Sequence, residues 1–257
     1  SFSDGGLFLD PEAAIAHGRE LVEQGADIVD VGGESTRPGA DPVSAEVERE
    51  RTEPVVAALA ADGATVSIDT SKAEVARAAL DAGATIVNDV TALRGDPELA
   101  DLCAERGCTV VLMHMLGTPR TMQDDPRYDD VVGDIRRFLA ERIEWAVGRG
   151  IAEERIWIDP GIGFGKTVQH NLELLNRLGE FRALGRPILI GTSRKSFIGR
   201  LTGREPRERL GGTVASNVLA YLRGAEIFRV HDVAQVRDAL RVAAAILGEE
   251  PGEALAD

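Results

Sequence analysis

Residues 64–72 read ATVSIDTSK, a continuous apolar run that stops on aspartate, threonine, serine and lysine. The design recurs six more times: ADIVDVGGESTR (26–37), TIVNDV (85–90), TVVLMHM (109–115), RIWIDPG (155–161), PILIGTSRK (187–195) and EIFRVHD (226–232). Apolar runs without alternation suit strands buried on both faces. Polar tips at the same end of every strand point to an α/β barrel with a single mouth.

Helical patterns fill the intervals. Residues 11–24 start at Pro11 behind Asp10, carry Ala14, Ile15, Leu21 and Val22 as an apolar stripe, and close at Gly25. Further helices fit 42–61, 72–82 (after Asp69-Thr70-Ser71, ending at Gly83), 129–148, 170–184, 207–223 and 233–247. In 129–148, Val131, Ile135, Phe138, Leu139, Ile143 and Val147 follow the 3.6-residue period. Repeated β–α units of this kind make parallel strands joined by right-handed crossovers.

The length of 257 residues suits one barrel domain, 1–248, followed by a frayed acidic tail, 249–257. Seven strands are one short of a closed (β/α)8 TIM barrel, so the reading places the first strand upstream of Ser1. The alternative is an open doubly wound sheet, whose switch point would be marked by a GxGxxG fingerprint that the chain lacks.

The formal net charge of −14 argues against nucleic acid or an anionic membrane as a partner. With no apolar run of membrane-spanning length and no visible signal peptide, a soluble cytoplasmic protein is expected. Cys103 and Cys108 are not spaced as CxxC and read as idle thiols. An anionic substrate would need local cations against the overall field, and Arg37, Lys195, Arg229 and His231 stand at strand ends.

The tips carry the chemistry. Arg37, set between Thr36 and Pro38 in DVGGESTRPGA (30–40), is a fork of donors beside a hydroxyl, which suits phosphate or carboxylate. Thr70 and Ser71 read as helix caps, whereas Asp69 is equally a cap or a functional carboxylate. Asn88 and Met113 hold the equivalent place on later strands; alone, the first reads as a turn residue and the second as core. His114 should face the other side of its strand from Met113 and reads as structural. IDPGIGFGKT (158–167) resembles a P-loop but has Pro160 where that motif needs glycine. What remains is Asp159 followed by a glycine-rich loop with Phe164, a cradle for a planar heterocycle. Lys195 in GTSRKSFIG (191–199) lies between apolar neighbours and should be largely buried, with Ser196 at a helix N-terminus. Arg229 and His231, two apart at the last strand, should share a face, as in the phosphate regions of barrels. His17 and His170 fall in helical segments and read as solvent-facing, without a role.

Eight motifs in order, SFSDGG, DVGGESTRPGA, SIDTSK, IVNDV, MHMLGTPRTMQ, IDPGIGFGKT, GTSRKSFIG and RVHD, make the chain resemble the dihydropteroate synthases over nearly its whole length. The resemblance implies a (β/α)8 barrel that condenses 6-hydroxymethyl-7,8-dihydropterin diphosphate with 4-aminobenzoate to 7,8-dihydropteroate and pyrophosphate, a folate-route reaction blocked by sulfonamides. By the same resemblance, Asp69, Asn88, Met113, Asp159, Phe164, Gly191 and Lys195 would bind the pterin. Thr36, Arg37, Arg229 and His231 would bind the diphosphate, and Phe2, Pro38, Lys195 and Ser196 the aminobenzoate, under mobile loops 1–6 and 34–40. Lys195, Asp69 and Arg37 would be the catalytic residues. Mg2+ is the implied cofactor, held in the family partly by an asparagine ahead of SFSDGG, so no metal ligand carries over to this sequence. A homodimer through outer helices is also implied. A corrinoid-linked methyltransferase of related fold is the rival, although it needs no cluster such as Arg37, Arg229 and His231; a non-catalytic pterin-binding protein is the other.

Overall fold

The computed structural model describes residues 10–36 and 39–249. Phe2, Arg37, Pro38, the 1–6 loop and the tail beyond Glu249 lie outside the described residues. Seven strands follow one another: β1 (Val29–Gly32), β2 (Val66–Asp69), β3 (Ile86–Asp89), β4 (Thr109–Met113), β5 (Ile156–Asp159), β6 (Leu189–Ile190) and β7 (Ile227–Phe228). All seven expected strands are present, each shorter than its apolar run. Their pairing is parallel and consecutive from β1 to β5 and from β6 to β7, and a bridge between Ile158 and Ile188 joins the two sets. Arg229, just past β7, reaches back to Asp30 in β1, so the sheet curls round on itself as an α/β barrel.

Among the described residues no strand lies between β7 and β1. A cavity of about 640 Å³ runs there, lined by Leu21, Val29, Phe228, Val236 and Leu240 among others.

The helices are α1 (Pro11–Glu23), α2 (Ala45–Ala61), α3 (Ala73–Asp81), α4 (Pro97–Arg106), α5 (Val131–Gly148), α6 (Val168–Asn176), α7 (Ser196–Thr202), α8 (Leu210–Leu222) and α9 (Val233–Ile246). None of them is long and apolar enough to cross a membrane. The expected helix over 170–184 is two pieces, α6 and a 3-10 segment, Leu178–Leu184, that buries Leu178 and Phe181. The sequence reading passed over α4, although Asp96-Pro97 repeats the start signal seen at Asp10-Pro11.

Strand side chains divide by parity. Val66, Ile68, Val87, Val110, Leu112, Ile156, Ile158 and Ile190 pack outward against buried residues such as Leu59, Leu99 and Ile135 of the helices. Ile28, Ile86, Val111, Trp157, Leu189 and Ile227 fill the barrel interior. A third cluster, Val90, Met113, Met115, Met122 and Phe164, lines the rim at the strands' C-terminal ends.

The start of α3 departs from expectation. Its N-cap is Lys72, which offers no side-chain acceptor. The acceptor comes from outside: Asp96 Oδ2 takes the Ala73 N–H at 2.8 Å while Oδ1 takes the Glu98 N–H of its own helix at 3.0 Å. One carboxylate therefore caps α3 and α4 together. His170 also has a role after all, exchanging capping bonds with Thr167 at the start of α6. Both cysteines are buried and unpaired. Since a lost cap costs about 1 kcal/mol, Asp96→Ala should lower stability by about 2 kcal/mol in urea unfolding and Asp96→Asn by less.

Candidate functional site

The strand register sets the mouth. Gly32 pairs with Asp69, Asp69 with Asn88, and Met113 with Asp159. Because side chains alternate along a strand, Asp30, Asp69, Asn88, Met113, Asp159, Gly191 and Arg229 share the parity of the interior side chains and stand one step above them. Gly32 leaves room for this layer: a Cβ there would sit 3.2 Å from Asp69 Cβ.

On the β1–β3 side, Arg229 is the hub. Its Nε donates to Asp30 Oδ2 at 2.6 Å and its Nη2 to Asp69 Oδ2 at 3.0 Å, while Asn88 Nδ2 donates to the same Asp30 oxygen at 3.3 Å. Burial opposes the guanidinium's charge, yet Asp30 and Asp69 outweigh it and raise its affinity for the proton. Asp69 is pushed up to about 7, first by burial and then by the neighbouring Asp30 charge, with Arg229 pulling the other way. Asp30 was missed in the sequence although it opens the DVGG motif; its inward parity is the signal that would have found it. Its Oδ1 is buried without a hydrogen-bond partner among the described residues.

On the β5–β6 side, Asp159 is 7% exposed and Lys195 9%. Asp159 Oδ1 accepts the Gly161 N–H at 2.7 Å. Burial raises the Asp159 carboxyl above its usual range, against the positive charges of Lys195, Lys166 and Arg229. Burial likewise pushes Lys195 down to about 8, with Asp159 opposing. The Lys195 ammonium donates to the Ile162 carbonyl and lies 4.7 Å from the centre of the Phe164 ring, a cation–π distance. Gly191 separates the two halves: a Cβ there would lie 3.7 Å from Lys195 Nζ and 3.8 Å from Arg229 Cβ. Met113 and Phe164 belong to the same rim cluster.

The remaining expected residues are placed less closely together. His231 does not pair with Arg229; its Nδ1 lies 2.8 Å from Ser193 Oγ, which also accepts the His231 N–H at 3.2 Å. The strand ends at Phe228, so alternation carries no further than Arg229 and does not extend to His231. Arg194, in the left-handed region at φ 57, forms a two-pronged pair with Asp232 that ties these same loops. Ser196 is the exposed first residue of α7. Thr36 is half-buried in the loop after β1. That loop is closed at its base by Lys72, which bonds Glu34 Oε2 at 2.7 Å and pairs with buried Glu48, while Glu34 also accepts the Val43 N–H at 2.9 Å. Further out, the Gly39 N–H donates to Pro119 O at 3.2 Å, linking it to the loop after β4.

Among the described residues no group of three or more His, Cys, Asp or Glu side chains could hold a metal ion. The mouth instead offers carboxylates for donor-rich heterocycle edges, a buried ammonium over an aromatic face, and a guanidinium for an anion.

The family model described as pterin binding enzyme matches residues 1–231. The dihydropteroate synthase of Mycobacterium leprae is 51% identical over 258 residues, which cover 98% of this chain and 91% of the relative. A Yersinia pestis dihydropteroate synthase solved with a sulfonamide drug superposes with a TM-score of 0.94 at 43% identity, covering 96% of this chain and 90% of that one. The Xanthomonas albilineans dihydropteroate synthase in complex with 7,8-dihydropteroate superposes with a TM-score of 0.84 at 47% identity, over 92% of this chain and 88% of its own. Matched from its first strand to its last, and carrying an inward polar layer at the C-terminal ends of its strands, the chain belongs to the dihydropteroate synthase family of pterin-binding enzymes.

Proposed function

We infer that this protein condenses 6-hydroxymethyl-7,8-dihydropterin diphosphate with 4-aminobenzoate, giving 7,8-dihydropteroate and pyrophosphate in folate biosynthesis. The observation that carries the reading is Arg229 gathering Asp30 and Asp69 beside the Asp159–Lys195 pair, one barrel mouth that offers both a heterocycle cradle and an anion site. Asp159 would accept the pterin's paired N–H donors, with Asn88 and Lys195 at its remaining polar edges and Met113, Phe164 and Gly191 as walls. Arg229, with Thr36, Arg37 and His231, would take the diphosphate. Phe2, Pro38 and Ser196 complete the proposed aminobenzoate site beside Lys195.

In the reaction the bond from the pterin methylene carbon to the bridging diphosphate oxygen breaks, and the oxygen leaves with the electron pair. The aromatic amine of 4-aminobenzoate, already a free base, attacks that carbon and releases one proton to solvent. No strong general base is required. We assign rate enhancement to positioning and to a loose, carbocation-like transition state in which Asp69 faces the developing positive charge and Arg229 and Arg37 face the leaving group.

Mg2+ is the proposed cofactor, neutralising the diphosphate. The described side chains build no magnesium cage of their own. Mg2+ commonly keeps several waters and binds through substrate phosphates, so the ion would arrive on the diphosphate. The barrel, 1–248, is proposed as one functional unit, and the cytoplasm as its compartment. A homodimer is proposed because α8 exposes Leu219 and Leu222, and α9 exposes Val242, Ile246 and Leu247, the last beside its C-terminus.

Pyrophosphate release from the two substrates with Mg2+, suppressed by a sulfonamide, tests the activity; a methyltransferase or a non-catalytic binder would release none. The pH dependence follows from the shifts. Asp69 must be ionised, so kcat/KM should fall as pH drops through about 7; Lys195 must be protonated, so it should fall again as pH rises through about 8. Asp69→Asn should cost about 100-fold and remove the fall near pH 7. Lys195→Arg should carry the alkaline limb upward, and a limb left in place would reject the assignment. Light scattering should give twice the chain mass for the wild type and a single chain mass for Leu222→Glu/Ile246→Glu.

A further inference from the structure

Under the glycine-rich loop lies a buried amine that the proposed reaction leaves unused. Lys166 is 3% exposed. Its Nζ lies 3.0 Å from His114 Nδ1, 2.9 Å from Phe164 O and 3.4 Å from His114 O. Three acceptors around one nitrogen match the three N–H bonds of an ammonium group. His114 follows β4 and is 6% exposed, with the Phe138 ring edge-on at 4.9 Å. Burial first, then Lys166 and Arg94, push His114 down to about 2, so the ring is neutral at any working pH. Accepting at Nδ1, it carries its proton on Nε2.

The loop above is pressed against this pair. Gly161, Gly163 and Gly165 have φ of 70, 82 and 65, and a Cβ on Gly161 would lie 1.9 Å from His114 O. Gln123 Nε2 donates to Gly163 O and Tyr128 Oη to Gly165 O, each at 2.8 Å. These neutral tethers fix the loop's outer carbonyls. Two ammonium groups tether the loop as well, Lys195 at Ile162 O and Lys166 at Phe164 O, and Lys166 does so from beneath, on the side of Asp159: the Cβ position of Gly161 is 3.4 Å from its Nζ, and the Gly161 N–H binds Asp159 Oδ1.

We propose that Lys166 is a positioning residue for Asp159: its ammonium locks the glycine-rich loop to the end of β4 and keeps the neighbouring carboxylate ionised for the pterin. The proposal rests on the reading that Asp159 binds the pterin edge. The charges that face Asp159 are Lys195 from the loop after β6, Arg229 from the end of β7, and Lys166 itself; those facing Lys166 are Asp159 and Lys195, with neutral His114 from the end of β4. Burial drives Lys166 well below the usual ammonium range, with Asp159 opposing that shift and Lys195 adding to it. The two buried groups therefore depend on each other's charge, and removing the cation should make Asp159 harder to ionise.

The test is the affinity for 6-hydroxymethylpterin as a function of pH, measured on the protein. In the wild type, binding should weaken as falling pH protonates Asp159. Lys166→Gln keeps polar length and N–H donors without the charge. It should move that acid limb toward neutrality by about one pH unit, while far-UV circular dichroism stays native. Lys166→Met should do the same and serves if the glutamine variant does not fold. A loss of affinity equal at every pH, with the limb unmoved, overturns the proposal. Asp159→Asn separates the two levels. If it loses binding while Lys166→Gln keeps the wild-type limb, only the role of Lys166 fails. If Asp159→Asn binds as well as wild type, the pterin reading fails, and the proposal with it.

Discussion

A charge taken out of water must be paired, and that constraint organises the mouth of this barrel. Arg229, Lys195 and Lys166 stand against Asp30, Asp69 and Asp159 in a chain whose overall charge is −14. Removing any one would leave a partner uncompensated in a poorly solvated place. The residues therefore hold one another in position before any substrate arrives. Arg229 is the extreme case, joining β7 to β1 and β2 across 199 and 160 residues of sequence. The same bonds draw together the two edges of the sheet, so on the proposed reading folding and substrate recognition would share the same interactions.

The period-two rule explains how much of this was legible. Once Ile86, Val111, Trp157, Leu189 and Ile227 are taken as interior, counting two forward gives Asn88, Met113, Asp159, Gly191 and Arg229 without further information. The rule also yields Asp30 from Ile28, an inward position that the motif's composition does not mark out. Asp69 came out as an even choice between cap and functional carboxylate. Its bond to Arg229, together with the capping of α3 by Asp96, removes the cap reading.

Other features were closed to sequence reasoning for a physical reason. The double cap by Asp96 and the Lys72–Glu34–Glu48 clasp depend on side chains from separate β–α units meeting, and no local pattern encodes such meetings. His231 and Arg229 bond to different partners, because β7 is only two residues long and alternation does not extend beyond Arg229. Lys166 was read only as the lysine of a failed P-loop. Its burial follows from three left-handed glycines that turn the loop back onto β4, a conformation visible only in three dimensions.

The two ends of the mouth are electrostatically unlike, and this bears on the order of events. At the Arg229 end a single guanidinium holds two carboxylates, one of them titrating near 7, so an arriving anion competes with Asp69 for the same donors. At the Asp159 end the carboxylate is fixed by the Gly161 N–H and faced by two lysines, so a neutral heterocycle with paired donors meets an acceptor already in place. The heterocycle end requires no rearrangement of charge, whereas the anion end does. On the proposed reading, a substrate that carries both parts would be best seated ring first. Its diphosphate would then displace Asp69 from Arg229 and leave that carboxylate facing the carbon where positive charge develops. Releasing Asp69 from its partner would cost binding energy in the ground state, and the cost would be recovered as the leaving group departs.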